Sequence, residues 1–227
     1  MTITPAWNKE FANVISCEEC SSSTSRKLLR DKHENVPQPG WVGNNYERTR
    51  LLLVGQNPGT PKSRATADLP YTKALRDLRD NSNEPQYQAL VAALRVFIPH
   101  WPVHGSYFPL DESGLTLEDI AYCNIVRCRT QADSAPGTKL VANCLSRHFS
   151  RWLELLRPQA VVFIGKWAAE RGGPIVEAAG IPYRFMNRQR SLSSEERTEN
   201  RIAVVNFVHT TCERHFNGAK YDDVPSV

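Results

Sequence analysis

The sequence predicts an α/β protein: a three-layer α/β/α sandwich around a mostly parallel four-stranded sheet, in a single domain spanning residues 1–227. Three observations carry that expectation. Four short apolar runs lack polar alternation, as strands covered on both faces do. Helical stretches separate them. The helix ends carry stop signals where the pattern needs them.

The runs are Leu51 to Val54, Tyr122 to Val126, Ala160 to Ile164 and Ile202 to Val208. Helices are expected at Thr72 to Arg79, Gln86 to Phe97, Leu140 to Leu156 and Lys166 to Ala179. In the third, Leu140, Cys144, Phe149, Trp152, Leu153 and Leu156 share one side, and the helix must stop near Arg157 because Pro158 follows. Gly180 stands where a C-terminal capping glycine ends the fourth, before the Ile181-Pro182 turn. Asp31 to Asn45 and Met186 to Arg201 show no apolar periodicity and read as surface loops.

Composition narrows the class. Hydrophobic residues at 41% and charged residues at 23% exclude disordered, collagenous and coiled-coil chains. With 28 basic against 24 acidic residues the chain is mildly basic, which is compatible with a polyanionic partner without requiring one. No apolar stretch is long enough for a membrane span, and Met1 to Glu10 lacks a basic-then-apolar leader, so no membrane partner and a cytoplasmic location are expected.

Six cysteines are too sparse for a disulfide framework, so their spacing is the informative quantity. Cys17 and Cys20 form a CxxC pair, and Cys128 and Cys144 supply a second pair. Four thiolates suit structural zinc or an iron–sulfur cluster, and ligand chemistry alone does not choose. Cys123 and Cys212 lie in apolar contexts and read as buried small hydrophobes.

The first strand runs into Gly55-Gln56-Asn57-Pro58-Gly59. At the carboxyl edge of an open parallel sheet such a turn lies where ligands bind. It matches neither of the common phosphate-binding glycine patterns, so nucleotide binding has no support.

Taken together, the turn and the cysteines resemble the uracil-DNA glycosylase superfamily, closest to its iron–sulfur branch, family 4. The signature there runs CxxC, GEAPG, N-x3-C-R, a fourth cysteine, a strand ending in LG, and a late strand ending in histidine. This chain has Cys17/Cys20, the GQNPG turn, Asn124 to Arg129, Cys144, Ile164-Gly165 and Val208-His209 in the same order. The first motif departs from GEAPG towards the mismatch-specific and single-strand-selective branches.

The resemblance implies a structural 4Fe–4S cluster on Cys17, Cys20, Cys128 and Cys144. It also implies a monofunctional glycosylase that removes uracil and other deaminated bases from single- or double-stranded DNA in base-excision repair. Asn124 would read the base, its amide matching uracil O4 and N3–H. Gly55, Pro58 and Gly59 would shape the pocket, and Tyr71, in Leu69-Pro70-Tyr71, would stack on the base. Asn57 would orient the attacking water with Gln56 lining the pocket, and His209 would donate to the departing uracil near O2.

His209-Thr210-Thr211 lacks the family's proline after histidine. The loop from Thr211 to Asn217 would still enter the minor groove, with Arg214 and His215 touching phosphates or filling the vacated stack. Five arginines between Arg184 and Arg201 are expected to track the phosphate backbone. A monomer is the expected state. The competing reading keeps the fold and drops turnover: an iron–sulfur protein that binds uracil-DNA or traps it covalently through a histidine.

Overall fold

The structure is a computed structural model that describes residues 5–20, 28–29, 31–59, 69–97, 108–187 and 192–216, with side chains at 5–8, 133 and 213–216 left aside. Its sheet has five strands, β1 (Trp41–Val42), β2 (Leu51–Gly55), β3 (Ile120–Asn124), β4 (Ala160–Ile164) and β5 (Tyr183–Met186), in the order β1-β3-β2-β4-β5. β1 is antiparallel to β3, and every other pairing is parallel. The α/β class and the mostly parallel sheet match expectation, and the strand count of four is corrected to five.

β2 and β4 are buried at every position, which requires cover on both faces and explains why their sequences do not alternate. The edge strands were invisible for the converse reason. β1 has only two residues, and β5 exposes Tyr183, Arg184 and Phe185, leaving no apolar run.

The helices before and between the strands are α1 (Pro5–Ile15), α2 (Tyr46–Thr49), α3 (Pro70–Asp80), α4 (Glu84–Phe97), α5 (Thr138–Cys144), α6 (Ser150–Leu156) and α7 (Lys166–Ala178). α5 and α6 form one rod joined by a π-helical turn at Leu145–Phe149. The rod stops at Arg157, which adopts a left-handed conformation immediately before Pro158. Proline begins α3, where its missing N–H costs nothing, and Gly180 with φ +69° ends the turn after α7.

One expected strand is overturned. Ile202 to Val208 lies inside a long helix, α8 (Ser194–Phe216). Its start is fixed by a reciprocal cap: the Ser193 N–H donates to Glu196 Oε2 at 2.7 Å, and the Glu196 N–H to Ser193 Oγ at 3.2 Å. Val204, Val208 and Cys212, spaced by four, are fully buried, so the helical period wins over the β-branched composition. The expected loop over Met186 to Arg201 is corrected in part, since α8 begins within it.

α8 runs against the strand direction. Near its start Asn200 bonds Asn187, just past the carboxyl end of β5. Near its other end it packs on α2, which leads into the amino end of β2. No helix among the described residues is long and apolar enough to cross a membrane.

Candidate functional site

Two groups of expected residues come together, and one does not join them. The first group forms at the carboxyl edge of the central strands. Gly55 pairs with Asn124 in the β2–β3 register, and the pairing continues past both strands: Ile125 N–H donates to Gly55 O at 2.8 Å and Val126 N–H to Gln56 O at 2.9 Å. The GQNPG turn and the segment after Asn124 therefore leave the sheet side by side.

Asn124 is nearly buried, and its Oδ1 accepts a 2.9 Å hydrogen bond from the Tyr122 hydroxyl. Residues two apart on a strand share a face, so Tyr122 holds the amide in place. A Cβ at Gly55 would overlap Asn124 Oδ1 and come to 2.8 Å from the Tyr122 hydroxyl. Glycine at 55 is what leaves room for that amide.

Asn57 is oriented from the other side. Its Nδ2 donates to Thr130 Oγ1 at 3.1 Å and to Pro58 O at 3.3 Å, while Thr130 Oγ1 donates to Ser134 O at 2.7 Å. The amide nitrogen thus points into the protein, and Oδ1 is the end available as an acceptor. The end of the turn is pinned by buried Arg129, whose Nε donates to Gly59 O at 3.3 Å and Nη1 to Glu34 O at 2.6 Å. Tyr71 opens α3 fully buried, within electrostatic reach of Arg129 and Tyr122, and burial pushes its phenol far above the ordinary tyrosine range.

His209 stands elsewhere. It sits on α8 with Nε2 3.2 Å from Ser113 O, ahead of the 3-10 turn that leads into the amino end of β3. Cys212, one turn further, lies within electrostatic reach of Tyr46 in α2. At about 1.5 Å per residue, His209 is roughly 13 Å along α8 from Asn200 towards the amino ends of the strands. The expected convergence of His209 with Gly55 and Asn124 at one edge is therefore not found. Arg214 and His215 fall in the last turns of α8, and their side chains lie outside the described ones.

The second group is the cysteine set. Cys17, Cys20, Cys128 and Cys144 line one cavity of about 300 Å³, shared with Arg127 and His148. Burial pushes the Cys128 thiol well up, and the other three thiols add to the effect; Cys144 is pushed up to about 11, chiefly by burial. Burial also raises Cys20, against an amide donor, Asn143 Nδ2, 3.4 Å from its sulfur. Cys17 is held below the ordinary thiol range chiefly by the neighbouring His148 imidazole, whose Nδ1 is 3.7 Å from Glu10 Oε1. Cys123 and Cys212 are fully buried outside this cavity, as expected of small hydrophobes.

Among the described residues no three of these side chains converge on one ion-sized point. Four sulfurs lining one cavity are a donor set that suits a polynuclear centre or a single tetrahedral zinc. The Asn143 amide on Cys20 is the kind of donor that orients a metal-binding thiolate.

Tyr122, Thr130, Arg127, His148 and Glu10 were not anticipated. Two carried a spacing signal: Tyr122 lies two residues before Asn124 on a strand, and His148 four after Cys144. The others act through contacts distant in sequence.

A model of the uracil DNA glycosylase superfamily matches residues 43–210, and the chain belongs to that superfamily. Among curated proteins it is similar to a type-4 uracil-DNA glycosylase of Archaeoglobus fulgidus, 27% identical over 157 residues, which cover 69% of this chain and 58% of that relative. The chain thus matches little more than half of the relative's length.

Proposed function

We propose that the chain is a monofunctional DNA glycosylase that hydrolyses the bond between uracil N1 and the deoxyribose C1′, in single- or double-stranded DNA, as a step of base-excision repair. The observation that carries this reading is the paired exit of the GQNPG turn and Asn124 from adjacent strands, with both amides oriented by named partners.

In this mechanism the flipped base enters between the turn and Tyr71. With Oδ1 engaged by Tyr122, Asn124 still offers Nδ2 to uracil O4 and a second lone pair to N3–H; cytosine, with an amino group at C4 and no N3–H, meets the wrong polarity. Asn57 Oδ1 accepts a hydrogen bond from the attacking water and directs its oxygen at C1′ while the bond to N1 breaks. The electron pair leaves with uracil, one proton of the water stays on the new C1′ hydroxyl, and the other goes to solvent. Neither Gln56 nor Asn57 is a base, so rate depends on orientation and on stabilising the uracil anion.

Cys17, Cys20, Cys128 and Cys144 fit a 4Fe–4S cluster as its ligands, and their distant relative belongs to the type-4 class. Bound there, it supplies cross-linking of the α1 segment to the end of β3. The proposal routes no step through His209, whose assignment from the second motif would need the imidazole at the opposite edge.

A second reading rests on that same placement: with amides alone at the carboxyl edge, the protein binds uracil-DNA without turnover. One experiment separates the two. Iron-loaded protein is incubated with uracil-containing single- and double-stranded oligonucleotides, and alkali-labile sites are counted alongside binding. Cleavage supports hydrolysis; retention of uracil-DNA over thymine-DNA without cleavage supports the binding reading, and the absence of both cleavage and selective retention overturns both.

A further inference from the structure

Arg127 leaves β3 directly before Cys128 and is completely buried. Its Nη1 donates to Pro39 O at 2.7 Å, and its guanidinium carbon lies 4.7 Å from the centre of the Trp152 ring. Its Nε and Nη2 are buried with no oxygen or nitrogen acceptor among the described residues, and the buried Cys123 thiol lies within its reach. An arginine cannot shed its proton, so this positive charge must be met by an anion or remain uncompensated in a low-dielectric interior.

No carboxylate among the described residues meets it. The two buried acids among the described residues are engaged elsewhere: Glu10 faces His148 at 3.7 Å and Asp119 faces Arg48 at 3.5 Å. Arg147, which also lines the cysteine cavity, is by contrast a half-exposed cation paired with Glu19 at 2.6 Å. What Arg127 does share is the cavity of the four cysteines.

We propose that Arg127 is the internal counter-charge of an anionic, thiolate-ligated metal centre in this cavity, a positioning residue for the cofactor with no contact to the DNA base. This rests on the iron–sulfur reading above. Pro39 and Trp152 hold the guanidinium where it is, so the charge is in place before the centre is built. Net charge is one of the levers that set the potential and retention of such clusters.

The test uses full-length protein purified anaerobically, as wild type, Arg127→Met and Arg127→Lys, reading iron per chain and the one-electron reduction midpoint. Arg127→Lys keeps the charge and should retain wild-type iron content. Arg127→Met should lose iron, or keep it with a lower midpoint, because the more negative reduced state loses its counter-ion; a tenfold shift in the reduced-to-oxidised balance is about 59 mV. An Arg127→Met protein with wild-type iron and midpoint overturns the proposal. So does loss of iron or of fold by Arg127→Lys as complete as by Arg127→Met, since that would make the fork to Pro39 and Trp152 the whole of its role. Wild-type protein without iron would instead remove the underlying iron–sulfur reading.

Discussion

Gly55→Ala isolates the geometry of the base-reading amide. The backbone at 55 is ordinary strand, so its conformation admits alanine, and the backbone change alone should alter folding stability by no more than about 1 kcal/mol. The added Cβ, however, overlaps Asn124 Oδ1 and stands 2.8 Å from the Tyr122 hydroxyl. To reach ordinary contact the amide must retreat by about 1 Å, and a displacement of that size at a reacting centre costs on the order of 100-fold. Because Asn124 reads the base in ground and transition states alike, the loss should fall mainly on KM. The assay is single-turnover excision of uracil from an oligonucleotide, with thermal unfolding measured on the same samples. Wild-type kcat/KM in a folded Gly55→Ala protein would refute the assignment of Asn124; a loss matched by unfolding would refute the claim that the effect is local.

Removing the anchor of Asn57 with Thr130→Val should lower kcat about tenfold, the worth of one buried hydrogen bond, with KM little changed and Thr130→Ser restoring most of it. His209→Ala should cost about 1 kcal/mol of stability through its link to Ser113 O while leaving excision near wild type; a collapse of kcat without destabilisation would show that the imidazole reaches the base after all. Cys20→Ser should abolish the visible absorption of iron-loaded protein and reduce bound iron, measured by absorbance and metal analysis. Gly172→Ala, although about 1 kcal/mol better in helix propensity, places a Cβ 2.6 Å from the Phe163 ring and 2.9 Å from Ile125 Cδ1, so denaturant titration should show a net loss of about 1 kcal/mol.

The central strands were legible because burial on both faces leaves an uninterrupted apolar signature, as in Leu51 to Val54 and Ala160 to Ile164. Ile202 to Val208 carried the same local composition in a helix. The discriminating signals, the Ser193–Glu196 box and the four-residue spacing of Val204, Val208 and Cys212, were present but span a wider window than the run itself. That misreading propagated to the site, because His209 was expected at a strand's carboxyl end. Motifs pointed to the amides and cysteines; Thr130, which bonds Asn57, and Arg127, which shares the cysteine cavity, come there across turns that no spacing rule encodes.

The π-helical turn between α5 and α6 gives the rod a mechanical phase. An α-helix advances about 100° per residue, and a π turn accommodates one more residue per revolution than the flanking segments do. Cys144 precedes the turn and Trp152 follows it, so the surplus residue sets the angle between the cavity-facing and the core-facing ends of one rod. Excising a single residue from Leu145–Phe149 would let the rod close as plain α-helix and swing the Cys144 thiol away from its three companions while Trp152, Leu153 and Leu156 stayed seated. A family member that keeps every cysteine but loses that surplus would then carry a complete ligand set and no cage.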